Sequence, residues 1–138
     1  MKKALLSVSI LPLLIVGLIV SFASSNDVPM MTKDQLKTML GNPDLVVLDV
    51  RSDREYFSSD SKIKGAARIV VNCSGGIVGL YPKGKTFVFY CASANEVTST
   101  DNLKHLLEEH RTEGYTNVFV LKGGWEEWLK AGYPTEKK

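Results

Sequence analysis

The sequence predicts an α/β fold in which helices flank both faces of a mostly parallel central sheet, giving three layers. Apolar and β-branched runs that predict strands alternate along the chain with segments of helical periodicity. These runs lie at 45–50, 66–71, 86–90 and 117–121. The first run is almost unbroken by polar residues, as expected for a strand that is buried on both faces.

Two predicted helices begin with a capping box, in which Ser or Thr is followed three residues later by Gln or Glu. The first box is Thr32 with Gln35, and its helix is expected to end at Gly41. The second box is Ser52 with Glu55, and it opens a short helix.

Two further helices are predicted in the second half of the chain. The longer one carries leucines at helical spacing and ends near Gly114, and its two histidines, His105 and His110, are expected on the charged, solvated face. The last helix covers 125–130, where the two tryptophans, Trp125 and Trp128, are expected to pack in the core.

Residues 1–23 are predicted to be a signal peptide or an N-terminal membrane anchor. Two lysines precede a run, 4–23, that has no charge and is long enough to cross a bilayer. Ser21 and Ala23 are the small residues of a cleavage site. Either outcome predicts an extracytoplasmic protein, periplasmic or secreted, with membrane contact only through 4–23 if that run is uncleaved.

Beyond this segment, 24–31 is predicted to be a linker and 32–138 a single domain. Without residues 1–23 the chain has 15 basic and 15 acidic residues, so a nucleic-acid partner is not expected. Two cysteines, Cys73 and Cys91, are too few for a disulfide-dense scaffold, although an exported pair can form one bridge.

Cys91 is the main candidate for chemistry. It follows an apolar strand directly and precedes a helix, at the carboxyl edge of the sheet where ligands bind in such folds. Backbone N–H groups of the following loop are expected to surround its sulfur and stabilise a thiolate, the reactive form. That loop, the predicted substrate-binding segment, consists of Ala92, Ser93, Ala94, Asn95 and Glu96.

Two other interpretations of Cys91 stay open, namely an inert apolar residue and a bridge to Cys73. Asp49 and Arg51 follow a neighbouring predicted strand. We expect these two side chains to form an ion pair that supports the loop, rather than to act in catalysis. The histidines are too isolated to predict a metal site.

Several segments resemble the rhodanese-like family. Leu-Asp-Val-Arg at 48–51, Glu-Tyr at 55–56 and Ile-Lys-Gly-Ala at 63–66 are similar to the first motif of that family. Tyr-Cys at 90–91 is similar to the end of its active-site strand, and Leu-Lys-Gly-Gly-Trp at 121–125 to its C-terminal motif. The resemblance extends from Met31 to Pro134 in the expected order.

This resemblance implies a rhodanese-like fold and sulfur transfer. Cys91 would take a sulfur atom from a small donor, hold it as a persulfide and pass it to a thiol or another nucleophilic acceptor. The resemblance implies no metal and no organic cofactor.

Two positions depart from the family pattern. Glu96 stands where an arginine commonly helps to hold an anionic substrate, and a carboxylate there would repel thiosulfate. Lysines 62 and 64 stand where His and Pro are usual, and they would add positive charge if they face the pocket.

The alternative function is a non-catalytic rhodanese-like module that binds an anion or a protein. A cysteine phosphatase is disfavoured because it needs an arginine at position 97, which is Val97. A thioredoxin-type oxidoreductase is disfavoured because the chain has no Cys-x-x-Cys.

Overall fold

The fold is described by a computed structural model, which covers residues 28–70, 77, 79–93 and 101–138. The strands of this part are β1 (Met30–Met31), β2 (Leu45–Asp49), β3 (Ser61–Ile63), β4 (Ala67–Arg68), β5 (Thr86–Tyr90), β6 (Val118–Leu121) and β7 (Thr135–Lys137). The helices are α1 (Lys33–Met39), α2 (Asp53–Phe57), α3 (Asp101–Thr112) and α4 (Gly124–Lys130).

Five strands form one sheet in the order β1-β6-β5-β2-β4, and every neighbouring pair in it is parallel. Strands β3 and β7 form a separate antiparallel pair. The α/β fold with a mostly parallel central sheet is therefore confirmed. All five strands of the large sheet end at one edge, and β2 and β5, paired in register from Leu45 with Thr86 to Asp49 with Tyr90, lie in its middle.

The two faces of the sheet bury separate apolar clusters, because successive side chains of a strand point to opposite faces. Val88 and Tyr90 of β5 pack on the face covered by α1 and α4, where Leu36, Trp125 and Trp128 are buried. The predicted core positions of both tryptophans are thus confirmed.

Phe87 and Phe89 of β5 pack on the opposite face. Leucines of α3 cover that face, together with Ile77 and Tyr115. Helices and loops thus cover both sides of the sheet, as the three-layer prediction requires.

Both predicted capping boxes form. The Thr32 hydroxyl accepts a hydrogen bond from the N–H of Gln35, whose side chain accepts one from the N–H of Thr32. Ser52 and Glu55 make the same reciprocal pair at α2. Each box satisfies two N–H groups that a helix start leaves without an intrahelical partner.

Four short strands differ from the sequence-based expectation. Met30 and Met31, which lie in the predicted linker, form β1 beside β6. Ser61–Ile63 and Thr135–Lys137, where no strand is predicted, pair as β3 and β7. The strand predicted at 66–71 is only the two residues of β4. Strands of two or three residues are held by backbone pairing to a partner strand, and they are too short for their own sequences to show a periodic pattern.

His110 was predicted to be solvated, and that prediction is wrong. Its side chain is fully buried, and its Nε2 accepts a hydrogen bond of 3.1 Å from the N–H of Ile77. His110 lies three and four residues after Leu107 and Leu106, so it shares their inward face. His105 is exposed, as predicted.

The buried His110 predicts that the protein loses stability in mild acid. Burial lowers the pKa of His110 below its ordinary value of 6.5, and the nearby Glu109 only partly opposes this. As the pH falls below 6.5, the imidazole of His110 therefore binds a proton in the unfolded chain before it does so in the folded chain. We expect full stability above pH 6.5 and a decrease as the pH falls below it.

Urea unfolding of wild type and His110→Gln between pH 8 and pH 5 would check this prediction. Glutamine keeps an acceptor for Ile77 but does not titrate, so it should flatten the pH dependence. His105→Gln on the exposed side of α3 should behave as wild type. Equal pH profiles for wild type and His110→Gln would refute the assignment.

Residues 1–27, including the predicted signal peptide or anchor, lie outside the described residues. Among the helices in the described ranges, none is both long enough and apolar enough to span a bilayer.

Candidate active site

Cys91 lies at the carboxyl end of β5, in the middle of the sheet edge where the parallel strands end. The residue is only 7% exposed and belongs to the same buried cluster as Phe87 and Phe89. Its side chain therefore lies on the α3 face of the sheet. Cys91 directly follows the last residue of β5. The predicted placement of Cys91 at a strand end is confirmed by β5.

The backbone at Cys91 is fixed by its neighbours in the fold. The N–H of Val50 in the adjacent chain segment donates to the carbonyl of Tyr90 at 3.1 Å. At the start of α4, the N–H of Trp125 donates to the carbonyl of Cys91 at 2.9 Å, and the N–H of Glu126 donates to the carbonyl of Ala92 at 3.0 Å. The strand end is thus bonded on both sides, to β2 and to α4.

Gly124 permits this contact between α4 and the strand end. Its φ is +60°, in the left-handed region that glycine adopts readily. A Cβ at this position would lie 2.7 Å from the carbonyl oxygen of Cys91 and 3.1 Å from that of Ala92. Because both neighbours are backbone atoms, no side-chain rotation can make room.

The predicted ion pair between Asp49 and Arg51 is present and fully buried. Arg51 binds the carboxylate with two donors, Nε to Oδ1 at 2.9 Å and Nη2 to Oδ2 at 2.6 Å. Nη2 also donates to the carbonyl of Ser61 at 3.1 Å. This geometry ties the end of β2 to β3, and it satisfies the carboxylate in the low-dielectric interior.

Tyr90 joins this ion pair to the strand that carries Cys91. Its hydroxyl donates to Asp49 Oδ2 at 2.7 Å and accepts from the N–H of Ile63 at 3.3 Å. Burial and the adjacent Asp49 carboxylate raise the pKa of Tyr90, so the hydroxyl stays protonated and remains a donor. The ring of Trp125 stacks on Tyr90 with centroids 6.2 Å apart and lies 4.6 Å from the guanidinium carbon of Arg51.

Asp49, Arg51 and Tyr90 lie on the α4 face of the sheet, whereas the Cys91 side chain lies on the α3 face. The ion pair therefore does not contact the sulfur directly. It fixes β2 and β5 at their carboxyl ends, and its support of the loop after Cys91 stays a prediction.

The charge of Lys62 is compensated by its own partners in the fold. Lys62 Nζ donates to the carbonyl of Ala66 at 2.7 Å and pairs with Glu136 at 3.3 Å, within the β3–β7 pair. Lys64 is exposed, and its N–H is bonded to the carbonyl of Pro134. Arg68, at the end of β4, pairs with Asp53 and donates to the carbonyl of Arg51.

Part of the predicted site lies outside the described residues. This applies to Ala94, Asn95 and Glu96 of the loop and to Cys73 of the alternative bridge. Of the predicted substrate-binding segment, Ala92 and Ser93 are described, and both are partly buried.

Sequence reasoning did not single out two residues that position the site. The sequence places Tyr90 in a strand and in the Tyr-Cys motif but predicts no contact for its hydroxyl, although a buried phenol needs a hydrogen-bond partner. Gly124 enters the sequence analysis only within the motif at 121–125, although a Gly-Gly pair before a helix indicates either a left-handed residue or a close backbone approach. The structure shows both at Gly124.

Comparison with known proteins adds to this geometry. The family model described as "Rhodanese-like domain" matches residues 32–131. The chain is 27% identical over 105 residues to a thiosulfate sulfurtransferase GlpE of Glaesserella parasuis, covering 76% of this chain and 90% of that protein. It is 30% identical over 105 residues to the GlpE of Actinobacillus succinogenes, covering 76% and 87%.

Among solved structures, the fold is similar to the rhodanese-like domain of an Anabaena protein. The TM-score is 0.61 with 26% identity, and the match covers 80% of each chain.

Proposed function

Since the chain belongs to the rhodanese-like domain family, we propose that it is an exported sulfurtransferase that carries sulfur as a persulfide on Cys91. The observation that supports this proposal most strongly is the position of Cys91. It follows the central strand of a parallel sheet, and hydrogen bonds from β2 and α4 fix the backbone there. Thiosulfate sulfurtransferases among its relatives point to the same class of reaction.

The proposed reaction has two displacement steps. In the first, the Cys91 thiolate attacks the outer sulfur of the donor, the sulfur–sulfur bond of the donor breaks, and its leaving group departs with the electron pair. Cys91 then holds the outer sulfur as a persulfide. In the second step an acceptor thiolate attacks that sulfur and regenerates the Cys91 thiolate. Nucleophilic catalysis of this kind requires no metal or organic cofactor.

The Glu96 carboxylate favours a singly negative persulfide or hydrogen polysulfide donor over doubly negative thiosulfate. Two described cations, Lys62 and Arg68, are paired with carboxylates, whereas Lys122, directly after β6, is exposed. The sequence places Glu96 in the loop that follows Cys91. The Glu96 carboxylate would repel a doubly negative donor more strongly than a singly negative one.

Transfer rates measured with two donors would test this proposal. We expect purified protein to transfer sulfur from a polysulfide to a small thiol at a rate well above the uncatalysed one, and to use thiosulfate more slowly. A Glu96→Arg variant should improve the use of thiosulfate relative to polysulfide. Failure to transfer sulfur from either donor would contradict the proposed activity.

We further propose that residues 1–23 export the domain, because a charge-free run follows two lysines there. In a bacterial host, a reporter enzyme that is active only outside the cytoplasm, fused after residue 138, should be active. Changing four residues of the run to Asp or Lys should abolish this activity. An active reporter in the altered variant, or an inactive one in wild type, would contradict export.

A non-catalytic module is the second candidate, and the burial of Cys91 favours it. The Cys91 residue is 7% exposed within an apolar cluster, so a sulfur donor has little access to its thiol. Apolar surroundings also raise the pKa of a thiol. In that case Cys91 is inert or bonded to Cys73. A strain that carries Cys91→Ser and behaves as wild type would support this candidate over the enzyme.

A further inference from the structure

The carbonyl groups of Cys91 and of the residue after it point toward the start of α4. They belong to Cys91 and Ala92, and they accept hydrogen bonds from Trp125 and Glu126. The structure has no cis peptide in its described part. In a planar trans peptide the C=O and the N–H of the same unit point in opposite directions. The N–H groups of Ala92 and Ser93 are therefore turned away from α4.

The side chain of Cys91 also lies away from α4. It packs in the cluster on the α3 face, whereas Trp125 of α4 belongs to the cluster on the other face. The two N–H groups and the sulfur thus share one side of the chain. Backbone N–H groups directed at a sulfur stabilise its thiolate form.

We infer that Gly124 is a positioning residue for the sulfur of Cys91: by letting α4 bond the Cys91 and Ala92 carbonyls, it turns the N–H groups of Ala92 and Ser93 toward the thiolate. The contact needs a residue without a Cβ, since that atom would lie 2.7 Å from the Cys91 oxygen. The inference rests on the proposed function in one respect, namely that the Cys91 thiolate is the working form.

The test uses Gly124→Ala and a matched control, Gly132→Ala, both in a Cys73→Ser background so that Cys91 is the only thiol. Gly132 has a φ of +64°, close to the +60° of Gly124, but a Cβ there has no atom within 4 Å. Both variants therefore carry the same kind of backbone strain. Only Gly124→Ala must displace the carbonyls beside Cys91.

The readout is the alkylation rate of Cys91 as a function of pH, which gives the thiol pKa. We expect Gly124→Ala to raise this pKa and to lower the rate at pH 7 by about threefold to tenfold, because less thiolate is present. The Gly132→Ala control should keep the wild-type profile. Equal profiles for the two alanine variants would overturn the inference.

If Gly124→Ala does not fold, a second measurement on the protein that keeps Gly124 tests the inference. Amide resonances of Ala92 and Ser93 in the Cys73→Ser protein should shift with an inflection at the Cys91 thiol pKa. Amides that do not respond to that titration would overturn the inference.

Sulfur loading by a polysulfide, measured as the mass added to each variant, separates this inference from the proposed function. Loading with no effect of Gly124→Ala on the thiol pKa would reject the inference and keep the transferase. A change in the thiol pKa of Gly124→Ala without any sulfur loading would keep the inference and reject the transferase.

Discussion

Replacing Cys91 with serine is expected to abolish sulfur transfer from every donor while the fold is retained. A serine hydroxyl does not ionise near neutral pH and cannot form a persulfide, so the first displacement has no nucleophile. The rate of sulfur transfer to a small thiol should fall to that of the uncatalysed reaction. Thermal unfolding should stay cooperative with a modest loss of stability, because serine is close to cysteine in size but places a hydroxyl in the apolar cluster.

Cys73→Ser is the matched control, since it removes the other cysteine of the chain. This variant should keep most of the activity if Cys91 alone carries the sulfur. A Cys91→Ser protein that transfers sulfur at the wild-type rate would place the reaction elsewhere. Loss of activity in both variants would show that the two thiols act together.

Replacing Asp49 with asparagine is expected to lower the free energy of unfolding by about 3–5 kcal/mol, as found when one partner of a buried ion pair is removed. Both side chains of the pair are fully buried, so Arg51 would keep its charge without a compensating carboxylate. Asparagine has the size of aspartate, so the loss would reflect charge rather than a cavity. Urea unfolding at neutral pH measures this loss.

Glu127→Gln is the matched control for that variant. Glu127 pairs with Lys33 and Lys130 at the surface, where solvent screens the charges. Its replacement should cost only a small fraction of the loss at Asp49. Comparable losses for the two variants would show that the buried pair contributes no more than a surface pair.

The main elements of the fold could be predicted from the sequence because their patterns are local. The capping boxes at Thr32 and Ser52 need only two residues three apart, and β5 is a run of β-branched and aromatic residues. Strand β3 could not be predicted in this way, because it exists only through pairing with β7, which lies far along the chain.

The site was only partly predictable for a similar reason. The position of Cys91 and the pairing of Asp49 with Arg51 follow from strand ends that share one edge of a parallel sheet. The contact of α4 with the Cys91 carbonyl depends on how the last helix docks, which no short segment encodes. The prediction that His110 is solvated is wrong because its neighbours in sequence are charged, although its spacing places it on the leucine face of α3.

The most direct measurement is to locate the transferred sulfur atom in the chain. Purified protein is treated with a polysulfide, the thiols are capped, and the peptides are weighed after digestion. The account predicts one added sulfur on the peptide that contains Cys91, removed on addition of an acceptor thiol. Added sulfur only on the peptide that contains Cys73, or no added sulfur at all, would contradict it.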